Sequence, residues 1–395
     1  MSGRRRALAL AVEHGVDDLY QGAVPALVPA LVVVHGWGLG RAGGIVLAAT
    51  VLSSVAQPLF GVLADRRPVP GLRVAGLLTA AAGVGAVGLV GSYAATWAAV
   101  LLSGLGVAAY HPEAARAVHA TDTGDRGMGW FTVGGLAGFA AGPAAVGVVV
   151  GGFGLAATPL LALPAVAAAL VALVPRRRPG PVVAVAPAGG DGSPAAAEGR
   201  DDWRRFTWLA GVVVTRSVLF YGLSAFLAVH LASRFGFGPA LAAVTLGVFT
   251  GSGAVATMTS SVLTHRFGRT AVLRGSYVVA LPLLAATLLA PSAVLALTAT
   301  AALGAALGLP VPVHTTLGQA YLPHHLGLAA AVTLGLANSA GGLASPVLGA
   351  LADHRGTTVA LAALLVFPLL AALCTAALAD PPAAPEDGRT GPPHT

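Results

Sequence analysis

The sequence predicts an all-α polytopic membrane protein, with twelve transmembrane helices in two pseudo-symmetric six-helix halves. Three observations predict it. Of the 395 residues, 56% are hydrophobic and 9% charged, and mean hydropathy is +0.81. A soluble fold of this size cannot hide that much apolar surface. The apolar runs are long and unalternated, near the ~20 residues that a spanning helix needs, and unlike the short alternating segments of a transmembrane β-barrel. The chain also repeats itself. A shift of 200 aligns DLYQG at 18–22 with VLFYG at 218–222 and LADR at 63–66 with LTHR at 263–266. A shift of 203 pairs His111, Gly138 and Pro143 with His314, Gly341 and Pro346. Parallel repeats of this kind build transporters whose halves rock about a midplane site.

The elements follow in order. Span one, Ala7–Val34, comes after Arg4-Arg5-Arg6. Its Glu13, His14, Asp17 and Asp18, and its length, exclude a signal peptide or twin-arginine leader. Spans two and three, Ala42–Ala64 and Leu72–Gly91, flank a charged loop. Span four, Ala95–Val118, ends in a polar stretch, and span five, Gly129–Phe153, is glycine-rich. Span six, Leu155–Val174, closes the first half at residues 1–175. Residues 176–205, rich in Pro, Gly, Ala and charge, read as a flexible cytoplasmic linker. The second half, 206–379, holds Phe206–Ala232, Pro239–Thr264, Ala271–Leu289, Ser292–Gln319, Leu328–Leu351 and Thr357–Leu378. Residues 380–395 share the linker's composition and read as a disordered cytoplasmic tail.

Orientation comes from arginine, which supplies all 22 basic residues. With the N-terminus inside, the outer loops hold only Arg41, Arg234 and Arg355. Arg116 and Arg216 fall within spans, and every other arginine lies on the inner side. That asymmetry places both termini in the cytoplasm of a cell's inner membrane. The net charge of +7 is then topology-setting loop charge, and no nucleic-acid partner is expected. Without lysine there is no Schiff-base or P-loop chemistry, and the single cysteine, Cys374, permits neither a disulfide nor a cysteine metal site.

Ionisable residues inside a membrane are functional candidates by default, since a charge at the bilayer centre costs ~2.5–3.5 kcal/mol even on insertion scales. On span one, Glu13 pairs in register with Asp17, and His14 with Asp18, four residues apart. Span four carries His111, Glu113 and Arg116, with the last two placed to pair. Span seven adds Arg216 and span ten His314. Counted from the inner ends, all lie about 8–18 Å deep and form one polar layer. Tyr20, Gln21, Tyr221 and Asn338 are candidate substrate contacts. On span five, Gly134, Gly138, Gly142 and Pro143 form a stripe that lets helix backbones approach closely.

The loop GVLADRRPVPGLR, from Gly61 to Arg73, resembles the G-x-L-a-D-r signature of the major facilitator superfamily, with Gly61, Asp65, Arg66 and Arg73 in the gating positions. Its copy SVLTHRFGR at 261–269 has His265 in place of the acid. By this resemblance spans one, four, seven and ten line the central cavity, and the span-five stripe matches a motif of antiporters. A narrower set, EHGVDDLYQGAVPALVPAL at 13–31, SSVAQPLFGVLADRRPVPG at 53–71, YHPEAAR at 110–116 and GMGWFTVGGLAGFAAGP at 127–143, resembles the fosmidomycin-resistance family of efflux proteins. Many members carry Asn-Asp where this chain has Asp17-Asp18.

The resemblance implies a secondary transporter that exports a small molecule, a drug or metabolite, by proton antiport. Its partners are the cargo, protons and the lipid bilayer. It is expected to be monomeric, with no cofactor and the proton gradient as energy source. Proton-coupled uptake on the same fold is the alternative, and the span-five glycines favour export. A membrane-embedded metal hydrolase is remote. His111 and Glu113, two apart, point to different helix faces, and neither H-E-x-x-H nor G-x-S-x-G occurs, so no metal is expected.

Overall fold

The computed structural model describes residues 3–66, 69, 71–121, 123–173, 200–330, 332–333 and 337–380. These residues are helical throughout apart from short connections. The first half comprises α1 (Gly3–His35), α2 (Leu39–Arg66), α3 (Leu72–Leu89), α4 (Tyr93–His119), α5 (Gly124–Phe153) and α6 (Leu155–Leu173). The second comprises α7 (Trp203–Phe235), α8 (Pro239–Phe267), α9 (Arg269–Leu289), α10 (Ala293–Tyr321), α11 (Ala337–Arg355) and α12 (Thr357–Ala376). Among the described residues, ten of these are long and apolar enough to cross a membrane. The described apolar part of α2 is the shorter Leu39–Val51, and α11 packs along that helix. Most of the expected linker 176–205 and tail 380–395 lie outside the described residues.

Prolines account for departures from the expected continuous spans. α10 breaks at Leu309–Pro310 into Ala293–Gly308 and Val311–Tyr321, because Pro310 has no N–H to continue the ladder. Span eleven, expected at 328–351, is instead a short helix, Leu326–Ala330, followed by α11.

The repeat is visible contact by contact. Ser92 caps α4 by accepting from the Ala95 N–H, and Ser292 caps α10 by accepting from the Leu295 N–H. Gly104 leaves room for the Ala49 carbonyl on α2, and Gly304 does so for Phe249 on α8. The turns after α1 and α7 use Gly36 and Gly236 at φ 65° and 70°, where a side chain is strained. Within each half the pairing order is the same: α1 on α5 and α7 on α11, α3 on α4 and α9 on α10. Large apolar side chains such as Phe153, Leu170, Leu173, Leu289 and Val294 stay exposed on the outside of the bundle, as lipid contact requires.

In the first half the span-five glycines press onto α1. A Cβ at Gly134, Gly138 or Gly142 would stand 2.0, 1.8 or 2.4 Å from the carbonyl oxygen of Ala11, Gly15 or Leu19. Only backbone-to-backbone contact fits there. The halves meet along two seams, α2 with α11 and α5 with α8. At the end of the bundle remote from Gly3 and Trp203, called here the far face, the first seam carries a carboxylate. Asp353 of α11 accepts from the Leu39 N–H at 2.6 Å and the Gly40 N–H at 2.9 Å, and so caps the N-terminus of α2 across the halves. In the second seam, Gly151 leaves room for Ala240.

Two outcomes test these contacts. Gly138→Leu should cost about 3 kcal/mol or more, the upper range of overpacking, because the α1 backbone cannot give way. Gly152→Leu, where a side chain meets nothing within 4 Å, should leave the detergent unfolding midpoint unchanged. Equal midpoints would dismiss the close α1–α5 contact. Asp353→Ala should shift the far face toward opening by about five- to tenfold, the worth of a helix cap of about 1–1.4 kcal/mol. Spin labels on Gly91→Cys and Arg355→Cys read this as a growing long-distance population, and an unchanged distribution dismisses the latch.

Candidate functional site

The α1–α5 contact fixes one wall of a polar cluster. Gly134 faces the α1 backbone, and Gly135 beside it faces the α1 side chains. A Cβ on Gly135 would stand 2.4 Å from His14 Cε1 and 2.5 Å from Asp18 Oδ2. Phe131, one turn earlier, lies flat on the His14 ring, with centroids 3.8 Å apart and planes 12° from parallel. Its carbonyl accepts from His14 Nδ1 at 2.8 Å. A carbonyl only accepts, so His14 carries its hydrogen on Nδ1 and turns Nε2 inward.

α4 supplies the opposite wall. His111 Nδ1 donates to the Val107 carbonyl at 2.9 Å, which fixes the same tautomer. The two Nε2 atoms face each other at 3.2 Å. Asp18 bridges them, with Oδ2 3.3 Å from His14 Nε2 and Oδ1 3.4 Å from His111 Nε2. Gln21 Nε2 donates to Asp18 Oδ1 at 2.5 Å. Two lone pairs do not face each other across 3.2 Å unaided. A hydrogen or a cation between them holds this geometry.

The remaining acids divide clearly. Glu13 forms a buried ion pair with Arg73, from the first turn of α3. Arg73 was expected in the gating loop, and its guanidinium reaches instead into the acids of α1. Glu113 pairs with Arg116 at 3.3 Å, as their spacing predicts. Asp17 is fully buried with neither carboxylate oxygen hydrogen-bonded among the described residues, and His111 Nδ1 stands 3.5 Å from its Oδ2.

The second half holds a separate group. His314 Nε2 lies 3.0 Å from the Tyr277 hydroxyl. Arg216 donates Nε–H to the Leu307 carbonyl at 2.9 Å, just before the α10 break, and lies over the Phe220 ring at 5.2 Å. The single layer expected from depth is thus two groups, one per half.

Tyr20 is buried, and its hydroxyl donates to the Leu161 carbonyl of α6 at 3.1 Å, so it packs within the first half. Tyr221 and Gln21 do meet across the halves, around a closed cavity of about 20 Å³ shared with Thr50 and Phe139, room for a single water. Gly61 and the side chains of Asp65, Arg66 and Asn338 lie outside the described residues.

Phe131, Gly135 and Tyr277 were not expected from the sequence. The Gly134-Gly135 doublet, one residue beyond the four-residue stripe, is the signal that marks Gly135.

This architecture matches known proteins along most of its length. A family model described as Major Facilitator Superfamily matches residues 17–346. The chain is 27% identical over 374 residues to the fosmidomycin resistance protein of Escherichia coli (strain K12), covering 92% of this chain and 90% of that one. It is 27% identical over 393 residues to the uncharacterized MFS-type transporter YfnC of Bacillus subtilis (strain 168), covering 93% and 91%. Among solved structures, a mutant of the nucleoside transporter NupG superposes with a TM-score of 0.76 at 14% identity, covering 94% of this chain and 99% of that one. A bacterial homologue of the human lysosomal transporter Spinster, inward-facing and occupied, gives 0.75 at 16%, covering 93% and 95%. The chain is therefore a multi-pass membrane transporter and not an enzyme, and it belongs to the major facilitator superfamily.

Proposed function

We propose that the chain exports a small molecule across the inner membrane by proton antiport, as a monomer with both termini in the cytoplasm. The observation that carries this reading is Asp17. Of the acids on α1 and α4, Glu13 has Arg73, Glu113 has Arg116 and Asp18 has two histidines. Asp17 has no hydrogen bond among the described residues and no exposure. A carboxylate so placed holds its charge only against a nearby cation or gives it up to a proton. His111, within 3.5 Å, is a cation when protonated and links Asp17 to Asp18 and His14. Proton arrival at Asp17 therefore changes the charge of a four-residue unit.

Alternating access follows from the seams. With the termini inside, the far face is the outer face, and Asp353 and the small-residue contacts hold it shut. A ligand or proton moves the halves only by its differential affinity for the two arrangements. The α1–α4 unit belongs to one half and the Arg216–His314 group to the other, so cargo bridging them senses the rocking. The Escherichia coli relative, named for fosmidomycin resistance, supports export and makes fosmidomycin the first cargo to try. The span-five stripe supports export too.

In proteoliposomes carrying a pH gradient, Asp17→Asn should lower uphill fosmidomycin transport at least tenfold and spare counterflow exchange. Undiminished pH-driven accumulation would reject Asp17 as the coupling acid. The orientation has its own check. In a Cys374→Ala background, an impermeant maleimide applied to intact cells should label Gly91→Cys and not Arg269→Cys, and the reverse pattern would invert the topology.

A further inference from the structure

We propose that His14, His111 and Asp18 form a binding site for a divalent first-row metal ion of the zinc class. The site goes beyond the transport reading and rests only on how α1, α4 and α5 are placed. One donor atom from each of the three residues lies within 4.8 Å of the others.

Four observations converge on it. Each imidazole spends its Nδ1 hydrogen on a backbone carbonyl, Phe131 for His14 and Val107 for His111. Such outer hydrogen bonds orient metal-ligating histidines and leave Nε2 free to bind. The donor separations also fit. A tetrahedral zinc with ligands at ~2.0–2.1 Å needs donor atoms about 3.3 Å apart. The two Nε2 atoms stand at 3.2 Å, and the Asp18 oxygens stand 3.3 and 3.4 Å from them. Little has to move for an ion to enter.

The third observation is Asp17. It is fully buried, makes no hydrogen bond among the described residues, and its Oδ2 lies 3.5 Å from His111 Nδ1. Behind a metal-bound His111 it would complete a carboxylate–histidine–metal relay, the usual outer arrangement of such sites. The fourth is charge. Arg73 takes Glu13, so two carboxylates, Asp17 and Asp18, remain to balance a doubly charged ion. Two imidazoles and one carboxylate suit zinc, cobalt or nickel better than calcium or magnesium, which favour all-oxygen sites. Three protein donors leave a position open for water or for an oxygen of the cargo.

The test is direct binding to tag-free protein in detergent near neutral pH, with ZnCl2 by calorimetry and CoCl2 by absorption. Wild type should bind one ion per chain, and Co2+ should give the intense visible bands of a low-coordinate site. His111→Gln and Asp18→Asn should each weaken Zn2+ at least tenfold, and Asp17→Asn about tenfold as an outer partner. His119→Gln, at the exposed end of α4, should leave binding unchanged. His14→Gln, which also loses its stack on Phe131, is read only if it remains monodisperse, and the other variants carry the result without it. Absence of stoichiometric binding, or binding indifferent to His111→Gln and Asp18→Asn, overturns the site and leaves only a shared proton between the rings. Either result leaves the transport reading intact, because that is decided by Asp17→Asn in metal-free liposomes.

Discussion

The backbone contact between α1 and α5 is the constraint on which the polar site depends. Three glycines spaced four apart place two helices closer than side chains permit. Without hydrophobic drive between helices in lipid, such close packing and the dispersion it gains hold them together. Everything polar on α1 inherits its position from that contact. The Phe131 carbonyl reaches His14 because α5 lies this near, and Gly135 leaves the volume that His14 and Asp18 fill. The fold thus provides a rigid wall first and hangs chemistry on it second.

The two halves share a skeleton and not a chemistry. Ser92 and Ser292 cap equivalent helices, and Gly104 and Gly304 make equivalent contacts. Yet the carboxylates gather on the first half, while the second answers with Arg216, Tyr277 and His314. Duplication supplies a scaffold able to rock, and divergence supplies a charge difference for cargo and protons to act on. The asymmetry gives each half a distinct ligand preference, which a symmetric pair would lack.

Much of this was legible in sequence because the membrane imposes long-range rules on local composition. The helical segments, the repeat, the glycine stripe and the Glu113–Arg116 pair depend on hydropathy or on spacing along one helix. His14 and Asp18 share a face for the same reason. Contacts between helices were not legible. Arg73 lies in a segment whose motif suggests gating, and its partnership with Glu13 exists only once α3 packs beside α1. Depth estimates put Arg216 and His314 level with the acids but say nothing of azimuth, so two groups were read as one layer. Gly135 was hidden by its neighbour Gly134, since a doublet carries no mark of which residue faces backbone and which faces side chains.

The Asp353 cap bears on the path of motion. One seam of the far face is bolted by a charge, and the other is closed only by small residues that slide past one another. Separation therefore costs more along α2 and α11 than along α5 and α8. The halves do not part like a symmetric clamshell. They swing, with the α5–α8 edge yielding first and the bolted edge acting as the post, so cargo leaves through a lateral wedge before the mouth is fully open.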